Sequence, residues 1–503
     1  MIHTKFYTKL LLLLLCLLLL VSCTNVVMPT PEVSDPKEEQ SKTESQIFEE
    51  LLSQLPSVEN SEVEEITGQP LTILTPDETV FLGDESAAGS VKNALVNRNN
   101  LLLSAYQMEV GIVTVPEEEI AEVLIAAMET GVAAGDLLCY SAKTTASLFA
   151  AGLLQDVKQL PYFDLNASCI DPVAAEDLTY RGEVYALPDP SARSSDEMFV
   201  VYYDRDLVEK AGLTRPEVLV QNGSWTYEAF QTYFETVAEK VMTSTSHDLG
   251  KDIFGYSSPN NKELLPYLLW SCSRDSLFTY DENGMLSFPY EKDSLLEAVA
   301  TQREIYDSPG LYPLDGEDAH KAFLTGRLGF LVERLEYLKE LYAKGSRSYG
   351  ILPMPKKEGA TRYSCPVTTA GRVLSAPKLM NNPAKTGLGL SALCTAGGLL
   401  IREAEKETYV SLYSADNDQS CMLEMILDSQ YFDFATVFGV CDPSVSGLTT
   451  ELLAYVMVDD SSRLSSLIRH GKEDLAVYLE KLDAILHPAV DIPTEETSGE
   501  ASA

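Results

Sequence analysis

Basic residues and histidine are scarce in this chain, and each shortage argues against a class of function. Lys and Arg number 37 against 76 Asp and Glu, a formal net charge of −39. A nucleic-acid binder needs cations to neutralise phosphates, and a globule lying on an anionic membrane needs them too. The acidity reads instead as a solubility feature. The five histidines, His3, His247, His320, His470 and His487, are scattered and form no metal pair. HExxH, GxSxG, P-loop and GxGxxG patterns are absent, and no internal repeat is visible. With 76 acids, a glycosidase-like carboxylate pair is expected by chance, so acid spacing carries no catalytic information. No catalytic residue, metal or cofactor is assigned.

Disulfide signatures are missing as well. Beyond Cys16 and Cys23, seven cysteines remain at 139, 169, 272, 365, 394, 421 and 441, odd in number and without CxxC. They read as buried thiols rather than a covalent frame. A membrane-spanning run is also lacking at the head of the chain. The apolar stretch Leu10–Val21 has 12 residues, whereas a spanning helix needs about 20. With Lys5 and Lys9 before it, this stretch reads as a secretory leader of residues 1–22. It ends in "LVSC", which resembles the bacterial lipoprotein signal. That resemblance implies a diacylated Cys23 at the mature N-terminus, and two acyl chains give stable anchoring.

Residues 31–65 carry eleven Asp or Glu and two Lys. The segment 23–68 therefore reads as an acidic disordered spacer, and 487–503 as a tail of the same kind. The folded part, from about 70 to about 486, is too long for one typical core and predicts two lobes. Its first part alternates strand and helix. "LTILTP" (71–76) and "DLLCYS" (136–141) are strand candidates, and "ASLFAAGLLQDV" a helix. "VPEEEIAEVLIAAMETG" (115–131) has a helical apolar face, with Thr114 and Glu117 placed for a capping box and Gly131 as its stop. This alternation implies a mostly parallel sheet, with ligand outside the carboxyl ends of its strands, at "PDETVFLGDES" and "YSAKT". Farther on, Asp204 is a helix cap, Asn283–Gly284 a hairpin turn, and "LGFLV" (328–332) a strand between helices.

Five segments, in order, resemble the extracellular solute-binding proteins of ABC importers, sugar-binding type. "GEVYALPDP" (182–190) is similar to the family's first crossover. "VVYYDRDLVEKAGL" (200–213) is similar to its strand–helix signature, with Asp204 where Asn is usual. "GSWTYEAF" (223–230) resembles a helix start, and "AFLTGRLGFLVER" (322–334) a strand. "YGILPMPK" followed by "TTAGRVLSAPK" (368–378) resembles the second crossover. The resemblance covers about residues 70–485. It implies an α/β, two-lobe periplasmic-binding-protein-like fold of type 2, with hinge strands and a central ligand cleft. Lobe one would be 70–187 plus 352–405, and lobe two 188–351 plus 406–486, with hinges at Leu187–Pro188 and Leu352–Pro353. The implied partners are a mono- or oligosaccharide and a membrane ABC permease, with the receptor acting as a lipid-anchored monomer. A peptide or uronic-acid receptor, or a surface glycan-active enzyme, stays open.

Sugars are held by flat aromatics and bidentate polar groups. Trp225 sits one residue before a Thr226 cap and Phe230 four residues past that cap, the spacing of a hydrophobic staple, so Trp225 reads as structural. Trp270 closes the helix "NKELLPYLLW" beside a polar loop and is a platform candidate. Glu197 follows the first crossover at a position where the resemblance implies a ligand contact, with Asp196 the alternative one residue away. After "LGFLV" the resemblance implies an aromatic contact; here Glu333, Arg334 and Glu336 stand instead, with Tyr337 next. Arg334 is a candidate fork onto hydroxyls or a carboxylate, or else a surface charge paired with Glu333 or Glu336. Asp84, Glu85, Tyr140 and Arg372, on strand-end loops of lobe one, complete the candidate set.

Overall fold

The computed structural model describes residues 44–58, 66–83, 89–167, 170, 178–241, 251–257, 279–280, 282, 286–298, 300–308, 310, 317–345, 348–433 and 463–488. The chain divides into two compact units, 1–50 and 51–503. The acidic segment departs from the spacer expectation, because it contains the helix Glu44–Gln54. After it, Leu55 and Val58 pack against buried aliphatics, and the Tyr106 hydroxyl donates to Pro56 O at 2.6 Å. "EELLSQL" places leucines at helical spacing, a signal the overall acidity of the segment diluted.

Eight strands form two four-stranded sheets: β1 Leu71–Thr75, β2 Val110–Thr114, β3 Leu137–Ser141, β4 Phe199–Asp204, β5 Phe254–Ser257, β6 Leu328–Arg334, β7 Tyr349–Leu352 and β8 Arg372–Ser375. The first sheet has the order β8-β3-β1-β2. Its strands β1, β2 and β3 are parallel, as the alternating pattern requires, and β8 returns antiparallel beside β3. Every residue of β3 is buried, the burial pattern of a strand covered on both faces. The second sheet has the order β7-β4-β6-β5, with β4 antiparallel to both neighbours and β5 parallel to β6.

Local chemistry sets the element ends. Asp204 caps its helix by accepting from Leu207 N at 3.0 Å, and Gly131 stops its own at φ 71°. The helix expected from Ala146 begins earlier, at Ala142, and ends at Ala150, where Gly152 follows at φ 69°. Thr226 Oγ1 accepts from Ala229 N at 3.3 Å, and Trp225 packs edge-on against Phe230 at 5.7 Å, so the staple is present. Trp225 is fully buried, stacks with Phe330 and donates from Nε1 to Pro353 O at 3.0 Å. It anchors an aromatic core beneath the second sheet, each large side chain contributing about 1.5–3 kcal/mol through burial.

Two crossovers link the sheets. In the first, Leu187 exchanges backbone hydrogen bonds with Leu374 of β8, at 2.8 and 2.9 Å; just before β4, Met198 bridges Val367 of the second. Behind them runs a helix from Pro383 to Tyr413, with a π segment at Gly397–Ile401. Among the described residues it is the one helix long and apolar enough to cross a membrane. However, 72% of its apolar window is buried inside the protein, so it is a core helix. Ser191 Oγ donates to Leu393 O at 3.0 Å, and the crossover presses so closely that a Cβ on Gly397 would lie 2.5 Å from Ser191 Oγ and 2.8 Å from Asp189 Oδ1.

Gly397 is helical, at φ −59°, so alanine there is favoured by propensity by about 1 kcal/mol. The overpacking should dominate. Gly397→Ala is expected to lose about 1–3 kcal/mol, read from the urea midpoint; an unchanged midpoint would show that the crossover yields freely.

Candidate functional site

The strand ends of both sheets meet the crossovers in one hydrogen-bonded run. At the second sheet, Arg334 ends β6. Its guanidinium donates from Nη1 to Glu197 Oε1 at 3.0 Å and lies 3.5 Å from Glu336 and 3.8 Å from Glu333. Glu197, on the first crossover, accepts from Thr368 Oγ1 on the second, and its carbonyl accepts from Thr368 N at 3.0 Å. The run then reaches the first sheet. Lys143 N donates to Thr369 O, and Ala142 N to Gly371 O, placing the β3 carboxyl end against the loop before β8. There Arg372 Nη2 donates to Asp77 Oδ2 at 3.2 Å.

Asp196 and Glu197, offered as alternatives by the sequence, serve different partners. Glu197 joins the crossovers to β6. The Asp196 side chain accepts from the Tyr409 hydroxyl on the long helix and pairs with Lys339 at 2.5 Å, while its carbonyl accepts from Glu336 N. Beside it, Arg193 adopts a left-handed backbone at φ 54°, a rare conformation for a non-glycine residue. Its guanidinium lies 3.5 Å from Glu405, which also accepts from Ser195 Oγ at 3.0 Å. A small polar cavity opens here between crossover and helix, lined by Asp189, Ser195, Arg402, Glu405 and Gln430 among others.

The other candidates divide clearly. Tyr140 is fully buried, its hydroxyl donating to Val115 O at 2.9 Å, so it is a core residue beneath the strand ends rather than part of their surface. Tyr337 is also buried, stacked on His320 at 4.3 Å and edge-on to Tyr202, and it backs the site instead of facing it. Glu336 is exposed, and Arg372 is half-buried. Asp84, Glu85, Trp270 and Cys23 lie outside the described residues, as do Cys169, Cys272, Cys441 and the Asn283–Gly284 turn. Of the remaining thiols, Cys139, Cys365 and Cys394 are buried as expected, while Cys421 is exposed.

Sequence reading missed Asp77, Glu117, Thr368 and Glu405. Thr114 and Glu117 make no capping box: Thr114 ends β2, and Glu117 Oε2 accepts from Ser141 Oγ at 2.6 Å and from Thr144 Oγ1. The carboxylate therefore sits at the start of the neighbouring helix Ala142–Ala150, where a negative charge meets the positive helix end. The available signal was the run "YSAKTT" directly after a strand, with hydroxyls at the cap and third helical positions.

Charge is tightly balanced here. Burial tends to raise the Asp77 carboxyl, but hydrogen bonds from Thr79 and the Arg372 and Arg193 charges outweigh it and hold it below the usual range. Burial raises Glu405, and Arg193 and Ser195 only partly offset that effect. For Arg334, burial is outweighed by Glu197, Glu336 and Glu333, which hold its proton more firmly.

A mixed parallel sheet, a second sheet joined by paired crossovers and a polar surface at the strand ends define a two-sheet binding architecture. Residues 103–385, more than half of the chain, match the family described as bacterial extracellular solute-binding protein, and the chain belongs to that family. Its fold is periplasmic-binding-protein-like, and its family is one of binding proteins acting outside the cytoplasm. It is similar in structure to the cyclic α-maltosyl-1,6-maltose binding protein from Arthrobacter globiformis, with a TM-score of 0.53 and 13% identity. That match covers 82% of this chain and 99% of the other. It is likewise similar to a cyclo/maltodextrin-binding protein solved with maltotetraose, with a TM-score of 0.53 and 14% identity over 81% of this chain and 97% of the other. No curated protein sequence matches the chain.

Asp77 and Glu405 predict opposite acid responses. Asp77 is depressed, so its stabilisation is present above the usual aspartate value and is lost as pH falls through the lower native value. Glu405 is raised, so the folded state gains relative stability as pH falls from the raised native value towards the usual glutamate value. Thermal midpoints from about pH 8 to about pH 3 should show wild type gaining, in the Glu405 window, stability that Glu405→Gln lacks. Asp77→Asn should flatten the loss at the acid end. Parallel curves for wild type and Glu405→Gln would refute the assignment.

Proposed function

We propose that this protein is a membrane-anchored receptor that captures an extracellular carbohydrate by hinge closure and delivers it to an ABC-type permease. The observation that carries the reading is the continuous polar surface from Arg334 and Glu197 through Thr368 to Arg372 and Asp77, formed where two crossovers join two α/β sheets. Such strand ends are where open α/β sheets hold ligands, and paired carboxylates and guanidinium groups suit the paired hydroxyls of a sugar. Two proteins of like fold bind maltose-type oligosaccharides according to their descriptions, which supports the carbohydrate class.

In this reading lobe one comprises 70–187 and 352–405, lobe two 188–351 and 406–486, and the hinges lie at Leu187–Pro188 and Leu352–Pro353. Trp270, Asp84 and Glu85 are proposed to add to the cleft wall, together with Glu197, Arg334, Glu336 and Arg372. Cys23 is proposed as the lipidated residue after removal of the leader, and the protein as a monomer. Closure gives the permease a state to recognise, because both lobe surfaces come together only when the cleft is shut.

Full-length protein in mild detergent, screened by thermal shift against mono- and oligosaccharides and short peptides, tests the capture step. A ligand at about 100 times its dissociation constant should add about 2.7 kcal/mol to stability. The expected result is a shift with a carbohydrate that is recovered chemically unchanged. A shift confined to peptides, or turnover of the sugar, would overturn the reading. Cys23→Ala should release the protein from the membrane fraction into the medium.

A further inference from the structure

We infer that the cleft is built for a neutral or positively charged carbohydrate and is closed to sugars bearing carboxylate or phosphate. The inference rests on the carbohydrate-receptor reading and narrows it. It comes from how the cations of this surface are already used.

Arg334 is the group best placed to fork onto an anion, but three carboxylates surround it: Glu197 at 3.0 Å, Glu336 at 3.5 Å and Glu333 at 3.8 Å. Glu333 also accepts from Arg334 N at 2.7 Å and lies 2.8 Å from His320 Nε2, so it is fixed in place. Arg372 is paired with Asp77, which is itself held by Thr79 N at 3.0 Å and Thr79 Oγ1 at 2.7 Å. Lys339 is paired with Asp196, and Arg193 with Glu405, while Arg402 shares its small cavity with the carboxylates of Asp189 and Glu405. The helix end behind β3, a natural seat for a ligand anion, already holds Glu117. Lys143 is exposed at that same helix end, and a single solvated ammonium gives an anion little.

An incoming carboxylate would have to draw Arg334 away from Glu197 and would then face Glu197, Glu333 and Glu336 at close range. Like charges in a partly buried site disfavour that exchange. Hydroxyls meet the opposite situation. Carboxylates such as Glu197 and Asp77 keep acceptor capacity beyond their present partners, and a sugar O–H donates to it without adding charge. An amino sugar adds a favourable charge. The acidic surroundings therefore act as a filter that separates a sugar from its own uronic acid.

The test is calorimetric titration of the full-length protein in detergent with matched probes. α-1,4-Galactotriose is set against trigalacturonate, with cellotriose, xylotriose and maltotriose extending the neutral set. Glucose and glucosamine are set against glucuronate and glucose 6-phosphate. The expected result is binding by at least one neutral or amino probe, with its acidic counterpart weaker by about 100-fold or more. Glu197→Gln frees one arm of Arg334 and is expected to narrow that gap by about tenfold. Glu336→Gln, an exposed position, should narrow it less and guards against a folding defect at Glu197. An acidic probe that binds wild type as tightly as its neutral counterpart overturns the inference and leaves the receptor reading standing. Binding by none of the probes overturns both.

Discussion

The close approach of the first crossover to the long helix is the constraint on which the rest of the arrangement depends. Asp189 and Ser191 fit against Gly397, and Ser191 bonds the helix carbonyl at Leu393. Farther along, Ser195 and Arg193 meet Glu405, and Asp196 meets Tyr409. With one side of the crossover fixed in this way, the next residue, Glu197, engages Arg334 on the other sheet and Thr368 on the returning crossover. Had the segment been shifted by one residue, Asp196 would take the place of Glu197, and a shorter carboxylate would have to span to the strand. The register of the whole polar surface is therefore set from behind, by a glycine that touches no part of it.

Charge neutralisation gives this surface its character. Asp189 on the first crossover and Glu405 on the long helix are both raised by burial, each partly relieved by hydrogen bonds and neighbouring arginines. In front, Arg334 and Arg372 are held by acids on other elements. An isolated surface ion pair contributes about 0–1 kcal/mol, so these pairs add less to stability than the aromatic core does. Their effect lies in geometry and field: they position side chains from both sheets and give Arg334, Arg372 and Arg193 each a carboxylate partner.

Much of the scaffold was legible because its signals are local. A capping aspartate at 204, a stop glycine at 131 and the Trp225–Phe230 staple each depend on neighbours within a few residues, and each lies where its spacing placed it. The two-sheet architecture followed from alternation and from ordered segments. The site was less legible because its partners are distant in sequence. Glu197 meets Arg334 and Thr368 across more than a hundred residues, and Arg193 meets Glu405 across two hundred. Local rules also misled where two outcomes compete for one residue. Glu117 had cap spacing towards Thr114, yet hydroxyls at Ser141 and Thr144 offered it two bonds and a helix end. Tyr140 was placed among the strand-end loops of lobe one, but it lies within β3, which is covered on both faces so that its alternation does not divide in from out.

The difference between packed and polar contacts also says where this molecule is able to yield. Trp225, Phe230, Tyr233 and Phe330 interlock beneath the second sheet, and separating them would expose large apolar surfaces together. The crossovers are tied to the sheets by buried side chains such as Leu187, Met198 and Val367 and also by hydrogen bonds and ion pairs, and it is the polar contacts whose exchange with water costs only about 1 kcal/mol each. Exchange of partners among those polar contacts is therefore the cheapest rearrangement this surface offers. A ligand whose hydroxyls take up the acceptors of Glu197 and Asp77 would stabilise one such arrangement over others. Closure in the proposed receptor would draw on that change of partners among polar groups already gathered at the strand ends.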